Sequence, residues 1–226
     1  MTRKHYDEQL AALHAELIEM GGMISGAIGR AVSALLSRDA ESAREVIAYD
    51  EEIDRQERTV EALCYKLLLS QQPVAGDLRR VSSALKIITD MERIGDHAAD
   101  ISELTLMLRE LPSMSNEHLR EMATRTTDML LASLAAYVEQ DMEKAEQVIA
   151  QDDAVDALFV AVKRDLVEAI TADPKRGEAA ADLLMAAKYF ERIGDHATNI
   201  AEWAIFAHTG RHAGERASPG FNGDLT

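Results

Sequence analysis

The sequence predicts an all-α protein that is built from two tandem three-helix bundles related by internal duplication. The first observation is composition: 47% of the 226 residues are hydrophobic but only 4% are aromatic. The apolar residues are therefore mostly Ala, Leu, Ile, Val and Met, which fit helices readily. The second observation is that apolar residues recur every three or four positions for most of the chain, which is the helical period. The third observation is a repeat.

The repeat connects the two halves of the chain. Residues 39–54 match residues 141–156 at a shift of 102, and eight of the sixteen positions are identical. Residues 91–103 match residues 190–202 at a shift of 99, with nine of thirteen identical. A small difference in the length of one loop accounts for the difference between the two shifts. Both matched segments therefore belong to one repeat, which contains three helices. An internal twofold axis and a simple tandem arrangement both agree with this repeat.

Six helices follow from the apolar period, and local signals mark their ends. Asp39 and Asp141 are expected to cap the second and fifth helices through their side-chain oxygens, and Ser115 is expected to cap the fourth. Pro73 and Pro174 end the second and fifth helices, because proline disfavours helix in the preceding residue. The predicted helices cover about residues 5–36, 39–70, 75–109, 116–139, 141–171 and 177–208.

The predicted domain limits follow the repeat. Residues 1–110 form the first three-helix unit and residues 111–210 form the second. Residues 211–226 are rich in Gly, Arg and Ser and have no apolar period, so we expect a disordered tail. Long helices joined by short loops pack as antiparallel neighbours.

Net charge and hydropathy limit which binding partners and which cellular compartment are expected. The 40 acidic and 24 basic residues give a net charge of −16. Nucleic acids require basic patches, which the sequence lacks, so cations and basic protein surfaces are the expected partners. No signal-peptide pattern opens the chain, and the longest apolar run is too short to cross a bilayer. We therefore expect a cytoplasmic protein with no direct membrane span. The single cysteine, Cys64, is expected to be a buried core residue.

Acidic residues spaced four apart occur on the second and third helices of each repeat. Such residues lie one turn apart and form a stripe whose like charges repel. Water, basic residues or a bridging cation can relieve this repulsion, and hard oxygen ligands suit magnesium, calcium, manganese or iron. The candidate ligands of the first half are Asp50, Asp54, Glu92, Asp96 and Asp100. Those of the second half are Asp152, Asp156, Glu191, Asp195 and Asn199.

An ordinary ion-paired surface also explains each stripe taken alone. Arg93 precedes Asp96 by three residues, and the second half repeats this spacing, so intrahelical ion pairs are an alternative to a metal. Recurrence on equivalent helices favours metal coordination. Gly95 and Gly194 interrupt the motif helices, which indicates close packing by a neighbour or room for a ligand. His97 and its counterpart His196 point about 100° away from the aspartates, so we expect solvated or ion-paired histidines.

No enzyme signature accompanies these carboxylates. The sequence lacks the phosphate loop, the dinucleotide-binding fingerprint and the nucleophile elbow, and it contains no Glu-x-x-His. We therefore predict that the protein is not an enzyme. Two alternatives remain open: a hydrolase that uses carboxylate-bound metals, and a metal-free structural helical module.

The doubled motif resembles the twin signature of the PhoU family. Residues 92–101 and 191–202 carry the likeness, and residues 50–54 and 152–156 resemble the family's accompanying acidic pairs. The likeness covers about residues 6–212. It implies two three-helix bundles that usually assemble as homodimers. It also implies metal ions at the acidic motifs, with iron, zinc, magnesium or manganese in different members. Asn199 departs from the acidic pattern and implies a weaker ligand set in the second half.

The resemblance also implies a function. Members of the family are accessory regulators of phosphate uptake and restrain the phosphate-starvation response when phosphate is plentiful. They link the ATPase subunit of a phosphate ABC transporter to a sensor histidine kinase. The expectation for this chain is therefore a metal-binding adaptor that acts as a negative regulator.

Overall fold

The computed structural model describes residues 3–71, 75–108 and 116–211. Within these residues the chain forms six α-helices and no strand, which confirms the predicted all-α fold. A short 3-10 turn, Pro174–Arg176, joins the fifth helix to the sixth. Each helix begins and ends within two residues of its predicted limits. The helices are α1 (Arg3–Ser37), α2 (Ala40–Gln71), α3 (Ala75–Met107), α4 (Glu117–Glu139), α5 (Met142–Ala172) and α6 (Gly177–Thr209).

Side-chain caps start three of the helices. Asp39 accepts hydrogen bonds from two backbone N–H groups in the first turn of α2, at 3.0 and 3.2 Å. Asp141 accepts one in α5 at 3.0 Å. Both caps confirm the prediction. The cap of α4 was predicted wrongly: it is Asn116, which accepts from the third residue of that helix at 3.0 Å. Asn116 has the extended backbone that a cap requires, whereas Ser115 lies outside the described residues.

Reciprocal contacts relate helices α3 and α6, and with them the two halves, by an approximate internal twofold axis. At the contact between α3 and α6, Asp90 meets His196 at 2.8 Å, and the ring of His97 lies 5.3 Å from that of Tyr189. The repeat makes residue 189 the counterpart of residue 90, and residue 196 the counterpart of residue 97. The same two positions of the repeat are therefore in contact twice, and the two helices swap roles between the contacts. Such reciprocal contacts require α3 and α6 to be antiparallel. The two halves are also in contact where Gly21 of α1 packs against Leu134 of α4.

One continuous apolar core runs through both halves. It contains side chains from all six helices, and its members include Leu13, Leu17, Ile53, Ile94, Leu130, Val162 and Phe190. Cys64 is buried in this core as predicted, and burial raises the pKa of its thiol to about 12. No described helix is both long and apolar enough to span a bilayer.

The predicted domain limits meet in the linker between α3 and α4. Residues 109–115, which contain the boundary between the units 1–110 and 111–210, lie outside the described residues. So do residues 212–226 of the tail that was expected to be disordered. These limits and the disorder of the tail therefore remain predictions.

Candidate functional site

The first acidic cluster consists of Asp50 and Asp54 from α2 and Glu92, Asp96 and Asp100 from α3. Gly95 brings these two helices together. A Cβ atom on Gly95 would lie 3.1 Å from the Cγ2 of Ile53 and 3.5 Å from the Oδ1 of Asp50. Close packing therefore explains this glycine, and it places Asp50 beside the motif of α3.

The predicted residues of the first half lie near enough to one another to shift each other's pKa values. Burial, followed by the charges of Asp96, Asp54, Glu92 and Asp100 in that order, raises the pKa of Asp50 from 3.8 to about 6. The pKa of Glu92 is also raised, first by burial and then by Asp96. The structure thus brings all five predicted residues into one acidic cluster.

Cationic side chains partner the outer carboxylates of the first cluster. Arg58 pairs with Asp54 at 3.3 Å. Arg93 pairs with Asp96 at 3.1 Å, as the ion-pair alternative anticipated. These pairs lie at the surface, where water screens them and each contributes about 0 to 1 kcal/mol. They are therefore weak enough for a bound cation to replace them.

The second acidic cluster consists of Asp152 and Asp156 from α5 and Glu191 and Asp195 from α6. Burial raises the pKa of Asp152, and Asp195 and then Asp156 add to the effect. Burial also raises the pKa of Asp195, followed by Glu191. The structure therefore brings these four predicted residues together. Asn199 points to the neighbouring helix α3 instead, where its Nδ2 donates to Asp90 at 3.1 Å.

The second cluster contains a lysine that the motif analysis did not single out. Lys188 pairs with Glu191, and its Nζ lies 5.7 Å from the centre of the Phe159 ring on α5. Gly194 packs here as Gly95 does in the first half, but less tightly: its Cβ would lie 3.5 Å from the Cγ1 of Val155. Comparing non-identical positions of the repeat would have drawn attention to Lys188, because its counterpart is Thr89.

A polar network lies between the two clusters, where α3 and α6 are in contact. His97 contacts Asp100 at 3.1 Å, and its ring centre lies 5.7 Å from that of His196. Burial lowers the pKa of His97, whereas the hydrogen bond to Asp100 raises it. Both histidines thus have carboxylate partners, as expected. Sequence reasoning missed Asp90 and Tyr189, because the repeat aligns these unlike residues and no identity marks them.

The donor chemistry of both clusters suits hard cations, since every donor is a carboxylate oxygen. The side chains are not assembled around a common point: in the described parts of the chain, no three His, Cys, Asp or Glu residues are grouped so that they could hold one metal ion. Some carboxylates turn towards Arg58, Arg93 and Lys188 instead. Coordination would therefore require these side chains to change partners.

Comparison with known proteins decides the family. A model of the PhoU domain matches residues 17–105 and again residues 119–204. The chain belongs to the PhoU family. The two matches coincide with the two halves of the duplication, so the family assignment and the tandem three-helix architecture support each other.

Curated relatives and solved PhoU structures match nearly the whole chain. A "phosphate-specific transport system accessory protein PhoU homolog" from Caulobacter vibrioides is 38% identical over 211 residues, which cover 92% of each chain. One from Clostridium acetobutylicum is 36% identical over 213 residues, covering 93% of this chain and 97% of the relative. The crystal structure of PhoU from Pseudomonas aeruginosa superposes with a TM-score of 0.84 at 30% identity, over 91% of this chain and 100% of that one.

A second solved structure, described as the phosphate transport system regulatory protein PhoU from Streptococcus pneumoniae, has a TM-score of 0.83 and 27% identity, and it covers 92% of this chain and 98% of that chain. These names describe accessory and regulatory proteins. The PhoU family is thus a family of regulators and not of enzymes, in agreement with the prediction from the missing catalytic motifs.

Proposed function

We propose that this protein is a metal-binding adaptor that regulates phosphate uptake and restrains the phosphate-starvation response. The observation that carries the proposal is the doubled PhoU domain, together with relatives that are named accessory proteins of phosphate-specific transport and match over nine tenths of both chains. The match over nearly the full length of both chains supports a shared role, because it includes all six helices and not one segment alone.

Cations at the two clusters would hold the helices of each bundle together. Asp50 and Asp96 would supply ligands in the first half, and Asp152 and Asp195 in the second. A bound iron, zinc, magnesium or manganese ion would supply positive charge that neutralises the repelling carboxylates. Because each cluster spans two helices, neutralisation would stiffen the α2–α3 pair and the α5–α6 pair.

The partners in this proposal are the ATPase subunit of a phosphate ABC transporter and a sensor histidine kinase. We expect these contacts in the cytoplasm, where an ATPase subunit works, and we expect the protein to be a homodimer. Exposed apolar side chains on the long helices offer contact surfaces. They include Ile18, Tyr65, Leu69, Leu131, Val160, Val167 and Met185. Light scattering of the purified protein tests the dimer.

Deleting the gene tests the regulatory role. A strain without this protein should express a phosphate-starvation reporter in high phosphate, and a plasmid copy of the wild-type gene should restore repression. Normal repression in the deletion strain would contradict the proposal. Pull-down of the transporter ATPase and the kinase by the tagged protein then tests the link between them.

Elemental analysis tests the metal. Protein carrying Glu92→Gln with Asp96→Asn should retain less metal than the wild type, because two oxygen donors of the first cluster lose their charge. Glu143→Gln with Glu146→Gln is the matched control, since both side chains are exposed on α5 outside the clusters. Equal metal content in the first variant and the wild type would refute the site. Wild-type protein without metal would favour the metal-free helical module.

A further inference from the structure

The middle of α5 lacks the charges that its counterpart in the first half carries. The repeat aligns residues 55–59 of α2 with residues 157–161 of α5. The α2 segment contains Arg55 and Arg58, which pair with acidic residues of their own helix at 2.8 and 3.3 Å. The α5 segment reads Ala-Leu-Phe-Val-Ala and contains no polar side chain. The two segments therefore differ in chemistry although they occupy equivalent positions of the repeat.

The outer face of α5 has an apolar centre between an acidic end and a basic end. Val160 and Val167 on this face are 64% and 56% exposed. Its members follow one another at three- and four-residue spacing, so they lie on one side of the helix. An exposed apolar surface with a charged rim indicates a contact site. We define the α5 face by seven exposed residues: Asp153, Asp156, Ala157, Val160, Lys163, Arg164 and Val167.

The basic end of the α5 face has no carboxylate partner in its own chain. Lys163 follows Asp156 by seven residues, about 10 Å along the axis, which exceeds the spacing of intrahelical ion pairs. Among the described residues, neither Lys163 nor Arg164 forms an ion pair. Two acids and two bases make the α5 face neutral, whereas the chain carries −16. A second copy of this acidic protein is therefore not repelled at this face.

A second copy of the α5 face fits the order of its charges. A twofold axis through the apolar centre makes the two α5 helices antiparallel and reverses the order of charges in the partner subunit. The acidic end of each copy then lies opposite the basic end of the other. Residue 159 is midway between the acidic pair and the basic pair, and it is also the middle of the apolar segment 157–161. One register therefore satisfies the ion pairs and the apolar contact together.

We propose that this chain dimerises through the α5 face, by an antiparallel contact of two α5 helices across a twofold axis. The inference rests on the homodimer that the proposed function includes, and it names the surface that forms the dimer. Val160 lies at the axis, and the ion pairs flank it on both sides. The same surface of both copies is used, so the contact closes at two chains.

A charge at the centre of the α5 face tests the surface. Val160→Glu brings two carboxylates together across the axis and should raise the dissociation constant of the dimer on the order of a hundredfold, measured by sedimentation velocity. Ile18→Glu places the same charge at an apolar side chain of α1 that is 56% exposed, and should leave the dimer intact. Circular dichroism verifies that both variants are folded. A dimer that Val160→Glu leaves unchanged would overturn the inference.

Exchanging the charges tests the antiparallel order. One variant carries Lys163→Glu with Arg164→Glu, and the other carries Asp153→Lys with Asp156→Lys. Each alone should be monomeric, because like charges then face each other across the axis. An equimolar mixture, with a chelator present, should restore a dimer of one copy of each variant. A mixture that stays monomeric, although each variant is folded, would overturn the antiparallel contact.

The oligomeric state of the wild type separates this inference from the regulatory role. A wild type that is monomeric at about 100 μM, well above the dissociation constant of a specific dimer, would overturn the α5 contact and the expected homodimer. The reporter assay in the deletion strain measures the regulatory role without reference to the dimer, so the two failures are distinguishable.

Discussion

At the scale of single residues, the charge of the first cluster acts most strongly on Asp50. Burial and four neighbouring carboxylates raise its pKa from 3.8 to about 6. The folded protein therefore holds this proton more tightly than the unfolded chain does. The linkage relation then makes the contribution of Asp50 to stability greatest below about pH 4. That contribution falls as the pH rises from 3.8 to about 6, and stays low above this range.

Asp50→Asn should therefore stabilise the metal-free protein at pH 8. We expect the free energy of unfolding to rise by about 1 kcal/mol, a value reduced because solvent screens this half-buried group. The gain should vanish at pH 4, where Asp50 is protonated in the folded protein. Urea unfolding with a chelator present measures both values. Asp128→Asn, an exposed residue of α4 outside both clusters, is the control. A loss of stability at pH 8 would contradict the prediction.

At the scale of helices, the glycines of the two motifs show how duplicated elements diverge. Glycine inside a helix costs about 1 kcal/mol relative to alanine. At Gly95 a Cβ would lie 3.1 Å from the Cγ2 of Ile53, so a methyl group requires the Ile53 side chain to shift by a few tenths of an ångström. At Gly194 the nearest atom would be 3.5 Å away, which is ordinary contact. The same residue type is thus required for packing in α3 but not in α6.

Alanine substitutions at these glycines should have opposite effects. Gly194→Ala should stabilise the protein by up to about 1 kcal/mol through helix propensity. Gly95→Ala should destabilise it by about 1 kcal/mol, because overpacking costs about 1 to 3 kcal/mol and exceeds the propensity gain. Gly26→Ala, where nothing lies within 4 Å of the added Cβ, is the reference for propensity alone. Urea unfolding ranks the three variants, and a Gly95→Ala protein as stable as Gly194→Ala would refute the packing argument.

At the scale of the whole molecule, the shared core makes the two bundles depend on each other. Helices α3 and α6 contribute buried side chains to one continuous core, and Ile94 and Phe190 are fully buried in it. Cooperative unfolding is the usual behaviour of a single domain with one core. A destabilising substitution in the first half should therefore also destabilise the second half.

Ile94→Ala tests this coupling between the halves. We expect a loss of about 3 kcal/mol, as is typical for a large-to-small change in a core. Trp203, the single tryptophan, lies in the second half, so its fluorescence should shift together with the total helicity measured by circular dichroism. Ile18→Ala, at an exposed side chain, should change little. Separate transitions for fluorescence and helicity would show that the bundles unfold independently.

Local chemistry accounts for the parts of the molecule that were predicted correctly. Apolar residues at three- and four-residue spacing define the helices, and the caps Asp39 and Asp141 define two of their starts within a single turn. The acidic stripes follow from the helical period in the same way, and the repeat placed them on matching helices. These features depend on residues only a few positions apart, so the amino-acid sequence alone is sufficient to predict them.

Long-range packing accounts for the rest. The internal twofold axis, the hydrogen bond between Asp90 and His196, and the place of Lys188 over Phe159 join residues that lie far apart in the chain. Such contacts depend on how the helices rotate and cross, and that arrangement is set by the total burial of apolar area in one core. Several arrangements of the helices bury similar apolar areas, and the apolar period within each helix does not distinguish between them.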